Sequence, residues 1–216
     1  MPSQSTPKKL AAFRRRLLAW FRTAGRDLPW RRTRDPYRVL VSEFMLQQTQ
    51  VSRVLEFYPR FLARYPDLEA LARAKPRAVR EAWDGLGYYR RAANLHRLAR
   101  VVTRDYAGTV PSDPGELERL PGVGPYTAGA VATFAYERPA PAVDTNARRV
   151  LSRVFGCQTA KDTRALAHVL QPRRGKTAWS FNQALMELGA LVCTARAPKC
   201  ARCPVRRNCL WYLKNS

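Results

Sequence analysis

Four cysteines stand close together near the end of the chain: Cys193, Cys200, Cys203 and Cys209, spaced C-x6-C-x2-C-x5-C. Four thiolates suit a 4Fe–4S cluster or a tetrahedral zinc ion. Zinc ribbons usually bring two close pairs of ligands, and only Cys200 and Cys203 form such a pair here. Ligands compressed into one short run favour the iron–sulfur cluster, and zinc remains the alternative. The fifth cysteine, Cys157, is expected to be an ordinary buried thiol.

A glycine-marked turn, L-P-G-V-G-P-Y-T-A-G-A at 120–130, has the spacing of a tight helix–turn–helix. Gly122 and Gly124 permit a backbone geometry in which amide groups approach a phosphate, next to the positive end of the following helix. Such a turn binds a DNA phosphate without reading sequence. A G-x-G alone is a weak signal, but this one stands 20 residues before a segment V-D-T-N that opens another predicted helix.

The charge of the chain indicates an anionic partner. Lys and Arg number 39 against 16 Asp and Glu, a formal net charge of +23. A preference for Arg over Lys explains why 32 of the 39 are Arg, but it does not explain why acidic residues are so scarce. Nucleic acid is the commonest partner of so basic a domain.

No apolar run approaches the roughly 20 residues that span a bilayer, and the polar N-terminus carries no signal-peptide pattern. We therefore expect no membrane partner and a cytoplasmic, nucleoid-associated protein of prokaryotic origin.

Helical periodicity dominates the elements that must position these residues, and it predicts an all-α chain of about ten short helices. Leu10, Phe13, Leu17, Leu18 and Phe21 form one apolar stripe. Asp35-Pro36 reads as the start of a helix carrying Val39 to Val54. Another stripe covers 92–102, and further helices are predicted at 67–73, 76–83, 114–119, 126–135, 146–155, 162–170 and 178–192. Strand-like alternation is short and rare, as at 108–110.

Several motifs together resemble the endonuclease III superfamily of helix-hairpin-helix DNA glycosylases. L-P-G-V-G, the Asp that follows it and the four-cysteine loop carry that resemblance, and S-E-F-M-L-Q-Q-T-Q-V at 42–51, G-L-G-Y-Y at 85–89 and A-N-L-H at 93–96 resemble the MutY-type adenine glycosylases in particular. The resemblance covers roughly 26–210. It implies a six-helix module at 31–139 with the hairpin, a second module of 1–30 and 140–216 with the cluster loop at 193–209, and DNA across the cleft between them.

The resemblance also implies which carboxylates are catalytic. Breaking an N-glycosidic bond requires a proton for the leaving base and stabilisation of a positively charged sugar. Glu43, flanked by apolar residues, would be the acid, since an apolar setting raises the pKa of a carboxyl. Asp144 would stay ionised beside the sugar or attack it transiently. By themselves, Glu43 could be a solvated helix residue and Asp144 only a helix cap.

Other family positions imply the remaining roles. Tyr126 stands where bifunctional relatives have a Lys that forms a Schiff base, so a monofunctional enzyme is implied. Base flipping leaves a gap in the base stack, and the residues implied to fill it and contact DNA are Gln48, Thr49 and Tyr88, with Gly122, Gly124 and Asn146 also at the DNA. The implied base pocket is Arg26, Trp30, Arg31 and Glu187. For Trp30 and Tyr88, core packing is the alternative.

The implied substrate is duplex DNA in which adenine is mispaired with 8-oxoguanine or guanine, bound by a monomer. Two features depart from the family: the chain stops at Ser216, without the domain that recognises 8-oxoguanine in full-length relatives, and Thr145 replaces the usual Gly. The alternatives are a thymine/uracil mismatch glycosylase and an iron–sulfur DNA-binding module without catalysis.

Overall fold

The computed structural model describes residues 6–215, which form twelve α-helices and no β-strand, so the predicted all-α fold is confirmed for that part of the chain. The α-helices are α1 Pro7–Ala24, α2 Pro36–Leu46, α3 Val51–Arg64, α4 Leu68–Arg73, α5 Pro76–Ala82, α6 Arg90–Asp105, α7 Pro114–Leu117, α8 Pro125–Phe134, α9 Thr145–Phe155, α10 Ala160–Leu170, α11 Gly175–Leu191 and α12 Leu210–Asn215. Short 3₁₀ helices cover Pro29–Arg31, Cys200–Arg202 and Arg206–Asn208.

The prediction of one helix carrying Val39 to Val54 is wrong in one respect, because this segment forms two helices, α2 and α3. Asp35 caps α2 as predicted, and its carboxylate accepts from the backbone N–H groups of Tyr37 and Arg38. The break follows at 47–50, where Gln48 has a φ of 56°. A residue in the left-handed region cannot continue a right-handed helix, so α3 starts anew at Val51. Apolar periodicity does not reveal this kind of interruption.

The helices divide into two compact units, one of Asp27–Tyr136 and one of the described residues up to Arg26 together with those from Glu137 onward. In the Asp27–Tyr136 unit, α2 packs against α3, α6 and α8. Its residues from Val39 to Met45 are all buried, so this stretch of the helix has no solvent face and lies in the core of the unit. Trp83 and Phe61 meet edge to face in the same core, 5.5 Å apart.

In the other unit, α11 packs against both α1 and α9. The ring centroid of Phe13 in α1 lies 5.1 Å from that of Phe155 and 6.4 Å from that of Phe181, and both contacts are edge-on. The predicted stripe on α1 thus faces this core, with Phe13 and Leu17 buried. None of the described helices is both long enough and apolar enough to cross a membrane.

Candidate active site

Glu43 lies in the central helix α2 and is almost fully buried, with 4% of the residue exposed. Its neighbours Ser42 and Phe44 are 1% and 0% exposed. The alternative that Glu43 is a solvated helix residue is therefore wrong. Removal of a carboxyl from water favours its neutral, proton-carrying form, which suits a group that donates a proton.

Asp144 is the N-cap of α9. Its carboxylate accepts hydrogen bonds from the Ala147 N–H at 2.6 Å and from Nδ2 of Asn146 at 2.9 Å. Burial raises the pKa of Asp144 above its usual 3.8, whereas these two donors and the Arg149 guanidinium act to lower it. The residue is a helix cap, as the simpler interpretation held, but its second oxygen is also fixed by Asn146, so the whole carboxylate has a defined orientation.

A chain of hydrogen bonds connects Asp144 with the cysteine-bearing segment of the same unit. Oδ1 of Asn146 accepts from Arg149 at 2.7 Å, and Arg149 also donates to the carbonyls of Gly189 and Cys193, both at 2.7 Å. The N-terminus of α9 and the end of α11 are packed tightly here, since a Cβ added at Gly189 would lie 2.6 Å from Cβ of Asn146. The position of Asp144 therefore depends on this segment.

The four cysteines of the C-x6-C-x2-C-x5-C motif line one small cavity of about 20 Å³. Burial raises the pKa of Cys203 to about 11, and the thiols of Cys193, Cys209 and Cys200 add to the rise. Within residues 6–215, no group of three or more His, Cys, Asp or Glu side chains is arranged to hold a metal ion. The structure thus brings the four thiols to one cavity. Which ligand they would bind is inferred from their chemistry.

Arg153, one turn after Arg149 on α9, binds the same segment. Its guanidinium donates to the carbonyls of Thr194 at 2.7 Å and Ala195 at 2.9 Å, and it stacks on the ring of Trp211 at 5.0 Å. Two arginines of one helix face therefore fix the start of the cysteine loop.

The predicted hairpin lies between α7 and α8. Gly122 has a φ of 79°, and a Cβ added there would lie 2.7 Å from Cβ of Asn94, so a larger residue does not fit. Gly124 has an ordinary extended backbone, and a Cβ there would meet open space. The backbone at Gly122 therefore requires glycine and that at Gly124 does not, and the role of both glycines at a DNA phosphate stays a prediction. Tyr126 is half-buried in the first turn of α8.

Two polar loops of the Asp27–Tyr136 unit carry the residues predicted to enter the base stack. Gln48, after α2, is exposed, and Tyr88, before α6, is 60% exposed. Both have left-handed backbone, with φ of 56° and 48°. Thr49 is half-buried beside Gln48. Core packing as the alternative for Tyr88 is wrong, because most of its ring faces solvent.

The residues of the predicted base pocket fall into both units. Arg26 and Glu187 form a two-point ion pair at 2.8 and 3.0 Å, and the Arg26 N–H adds a third bond at 2.9 Å. Glu187 is 1% exposed, so the pair is buried on the carboxylate side. Trp30 and Arg31 belong to the other unit, where Trp30 is buried and packs edge-on against Tyr58 at 5.5 Å. Trp30 thus packs in the core of its unit, and its role in a base pocket stays a prediction.

The predicted site residues do not include three arginines of the structure: Arg91, Arg149 and Arg153. Each donates to main-chain carbonyls of segments distant in sequence. A signal was available for Arg91, which stands beside Ala92 on the apolar face of α6, where an arginine is unusual.

Residues 41–173 match the model of the HhH-GPD superfamily of base excision DNA repair proteins. The adenine DNA glycosylase of Mycolicibacterium smegmatis is 49% identical over 201 residues, which are 90% of this chain and 68% of that protein. The thymine-DNA glycosylase of Aeropyrum pernix is 39% identical over 213 residues, 94% of this chain and 96% of that protein. The chain belongs to the HhH-GPD superfamily.

Two solved structures have the same fold. A thermostable thymine-DNA glycosylase superposes with a TM-score of 0.90 at 36% identity, covering 96% of this chain and 98% of that one. Endonuclease III, trapped in a covalent intermediate with DNA, superposes with a TM-score of 0.85 at 25% identity, covering 98% and 99%. The predicted enzyme class, a DNA glycosylase acting on N-glycosyl bonds, is confirmed, and so is the predicted function in base excision repair, with adenine glycosylases among the relatives and thymine glycosylase as the alternative.

Proposed function

We propose that this chain hydrolyses the N-glycosidic bond of adenine mispaired with 8-oxoguanine or guanine in duplex DNA. The observation that carries the proposal is the pair of carboxyl groups in contrasting environments: Glu43 is buried in an apolar helix, whereas Asp144 accepts two hydrogen bonds at the positive end of α9. Contrasting environments of this kind separate an acid from a carboxylate in glycosidic chemistry.

Glu43 acts as the general acid in this proposal. It gives its proton to a ring nitrogen of adenine, so that the bond from C1′ to the base breaks and the base leaves neutral. The Asp144 carboxylate stabilises the positive charge that develops on the sugar. Water then adds at C1′, its proton returns to Glu43, and an abasic sugar remains.

The hydroxyl of Tyr126 is no substitute for an amine, so the proposal includes monofunctional chemistry. A Schiff base with the sugar requires a primary amine, and the first turn of α8 offers a phenol at this position instead. The abasic product is then released with its strand uncut.

DNA binding is assigned to the hairpin and to the two polar loops. Gly122 and Gly124 let backbone N–H groups at the start of α8 meet a phosphate, and Asn146 lies at the start of α9. Exposed Gln48 and Tyr88 fill the space left by the flipped base. The ion pair of Arg26 with Glu187 supports a role in shaping the base pocket for the unit that contains both residues.

A 4Fe–4S cluster is the ligand that the four cysteines suit best. Their thiols line one cavity, and four thiolates need a positively charged centre to coexist. The compressed C-x6-C-x2-C-x5-C spacing favours the cluster over a single zinc ion, whose four ligands usually come as two close pairs. Cys193, Cys200, Cys203 and Cys209 would hold the cluster, which would supply structural order to the loop that Arg149 and Arg153 bind.

A thymine or uracil mismatch glycosylase remains the second candidate, because the relative from Aeropyrum pernix aligns over 96% of its own length. Single-turnover excision from four duplexes, A:8-oxoguanine, A:G, T:G and U:G, separates the two. We expect adenine to leave its mispairs faster than either pyrimidine leaves guanine. The reverse order would establish the second candidate.

Two variants test the proposed chemistry. Glu43→Gln and Asp144→Asn should each abolish base release while duplex affinity stays nearly unchanged, because neither group lies on a phosphate-binding surface. Glu69→Gln, at an exposed carboxyl of α4, is the matched control and should retain full activity. Retention of activity in Glu43→Gln would refute the role of that residue, and loss of duplex binding would assign it to binding instead.

A further inference from the structure

Arg91 is a buried arginine that connects two loops. It is 7% exposed, at the start of α6. Its guanidinium donates to five main-chain carbonyls, three at the end of α2 and just beyond it and two in the loop before α6: Phe44 (3.1 Å), Met45 (2.7 Å), Gln47, Leu86 (3.1 Å) and Gly87 (3.1 Å).

The two terminal nitrogens of the Arg91 guanidinium bond different loops. Nη1 bonds the carbonyls on the α2 side, and Nη2 bonds those of the 86–87 loop. A planar guanidinium offers both sets of donors in a fixed geometry, whereas a lysine ammonium is a single point of charge on a flexible stem. The same group stacks against the rings of Trp83 at 5.6 Å and Tyr88 at 5.3 Å.

Each of the two loops holds one of the residues assigned above to the base stack. Gln48 follows the Gln47 carbonyl directly, and Tyr88 follows the Gly87 carbonyl directly. Both residues have left-handed φ values, a conformation that L-residues keep only where the surroundings hold it. Arg53 also binds the second loop, where its guanidinium donates to the Gly85 carbonyl at 3.3 Å, but among the described residues that guanidinium donates to no carbonyl of the first loop. Arg91 bonds both.

We propose that Arg91 is a positioning residue for base flipping: it fixes Gln48 and Tyr88 relative to each other, so that both enter the base stack together. This inference rests on the proposed role of those two residues. Arg91 touches neither the reacting atoms nor, in this scheme, the DNA. Its contribution is to the step in which a paired base leaves the helix, and not to cleavage of the bond.

The test compares a paired substrate with one that needs no flipping. Arg91→Lys keeps the charge and loses the two-sided fork. Single-turnover excision is measured for adenine opposite 8-oxoguanine and for adenine in a single-base bulge, which is already unpaired. We expect roughly a ten- to a hundredfold loss on the mispair, since small displacements of positioning groups have effects of this size, and a loss of at most about threefold on the bulge.

A spectroscopic measurement reports the flipping step itself. A fluorescent adenine analogue placed next to the target base brightens when the stack opens. In the inactive Glu43→Gln background, protein binding should raise the fluorescence, and adding Arg91→Lys should remove most of the rise while the complex still forms.

Two control variants separate positioning from general damage. Val102→Ala removes buried side-chain volume from the same helix without touching either loop, so it should lower the melting temperature and leave the ratio of the two excision rates unchanged. Tyr88→Ala should reproduce the selective loss on the mispair. Circular dichroism of each variant shows that it is folded.

The outcomes distinguish three failures. Equal loss on both substrates for Arg91→Lys, with selective loss for Tyr88→Ala, would overturn the positioning role. Equal behaviour of Tyr88→Ala on both substrates would overturn the assignment of that loop and the inference with it. Absence of adenine release from either substrate by the unmodified protein would instead refute the proposed function.

Discussion

Removal of the Asn146 side-chain amide should move the acid limb of the activity profile to higher pH. Nδ2 of Asn146 donates to Asp144 at 2.9 Å and helps to lower the pKa of that carboxyl, which burial raises. A hydrogen bond to a charged group contributes about 1.5–3 kcal/mol. Since the lost bond favours the carboxylate over its protonated form, Asn146→Ala should raise the pKa of Asp144 further.

The sign of the effect follows from the proposed role of Asp144, which works as a carboxylate. Activity is lost as pH falls through its folded-state pKa, so the variant loses activity at a higher pH than its parent does. Raising the pH should restore most of the rate. Stability has a matching dependence, because a raised folded-state pKa favours the protonated protein: the stability deficit of the variant should grow as pH rises through that pKa and be smaller in acid.

The assay is the single-turnover rate of adenine release against pH, with Thr145→Ala as the control. Thr145 is exposed at the same helix start, and its side chain is not one of the groups that lower the pKa of Asp144, so the acid limb of this variant should not move. If Asn146→Ala lowered the rate by the same factor at every pH and left the acid limb unmoved, the electrostatic argument would be refuted. Asn146 would then only support the local structure.

Three further outcomes are expected. Gly122→Ala should destabilise the fold by about 1–3 kcal/mol in thermal melts, because of its left-handed φ and the proximity of Asn94, and Gly124→Ala should cost less. Purified protein should contain about four irons per chain and lose them on Cys203→Ser; stoichiometric zinc instead, in protein made with ample iron, would refute the cluster. Duplex affinity should fall with salt at a log–log slope of about −4 to −5, as four to six phosphate contacts imply, and a slope near zero would assign the +23 charge to another partner.

The sequence reveals the elements of this fold well where periodicity is long and caps are explicit. The stripe on α1 and the Asp35 cap of α2 are examples, and both rest on local rules. The break at Gln48 is different, because an uninterrupted apolar pattern continues on both sides of it. The carbonyl just before it, that of Gln47, accepts a hydrogen bond from Arg91 of another helix, a contact that no local pattern contains.

The candidate site shows the same division. The spacing of the cysteines is a local signal, and the structure brings the four thiols to one cavity. The partners of Asp144 are only partly local: the Ala147 N–H follows from a helix start, whereas the link through Arg149 to Cys193 joins positions 44 residues apart. Arg149 and Arg153 carry no sequence signature of carbonyl binding, because an arginine in a basic chain is expected at the surface, whereas Arg91 stands on the apolar face of α6.

The choice of base cannot follow from the fold, because relatives named for adenine and for thymine share it. The thymine enzyme superposes with a TM-score of 0.90, while the mycobacterial adenine enzyme has the higher identity, 49%. A single polar contact that recognises one base and leaves an unpaired group against another changes selectivity by about 1–3 kcal/mol, roughly five- to 160-fold in rate. That difference requires a few side chains and no change in the backbone. Adenine offers an amino group where thymine offers a carbonyl, so a buried acceptor and a buried donor select opposite bases. In the proposed function Arg26 and Glu187 help to shape the base pocket, and parallel excision from the four duplexes by variants at these two positions tests whether they select the base.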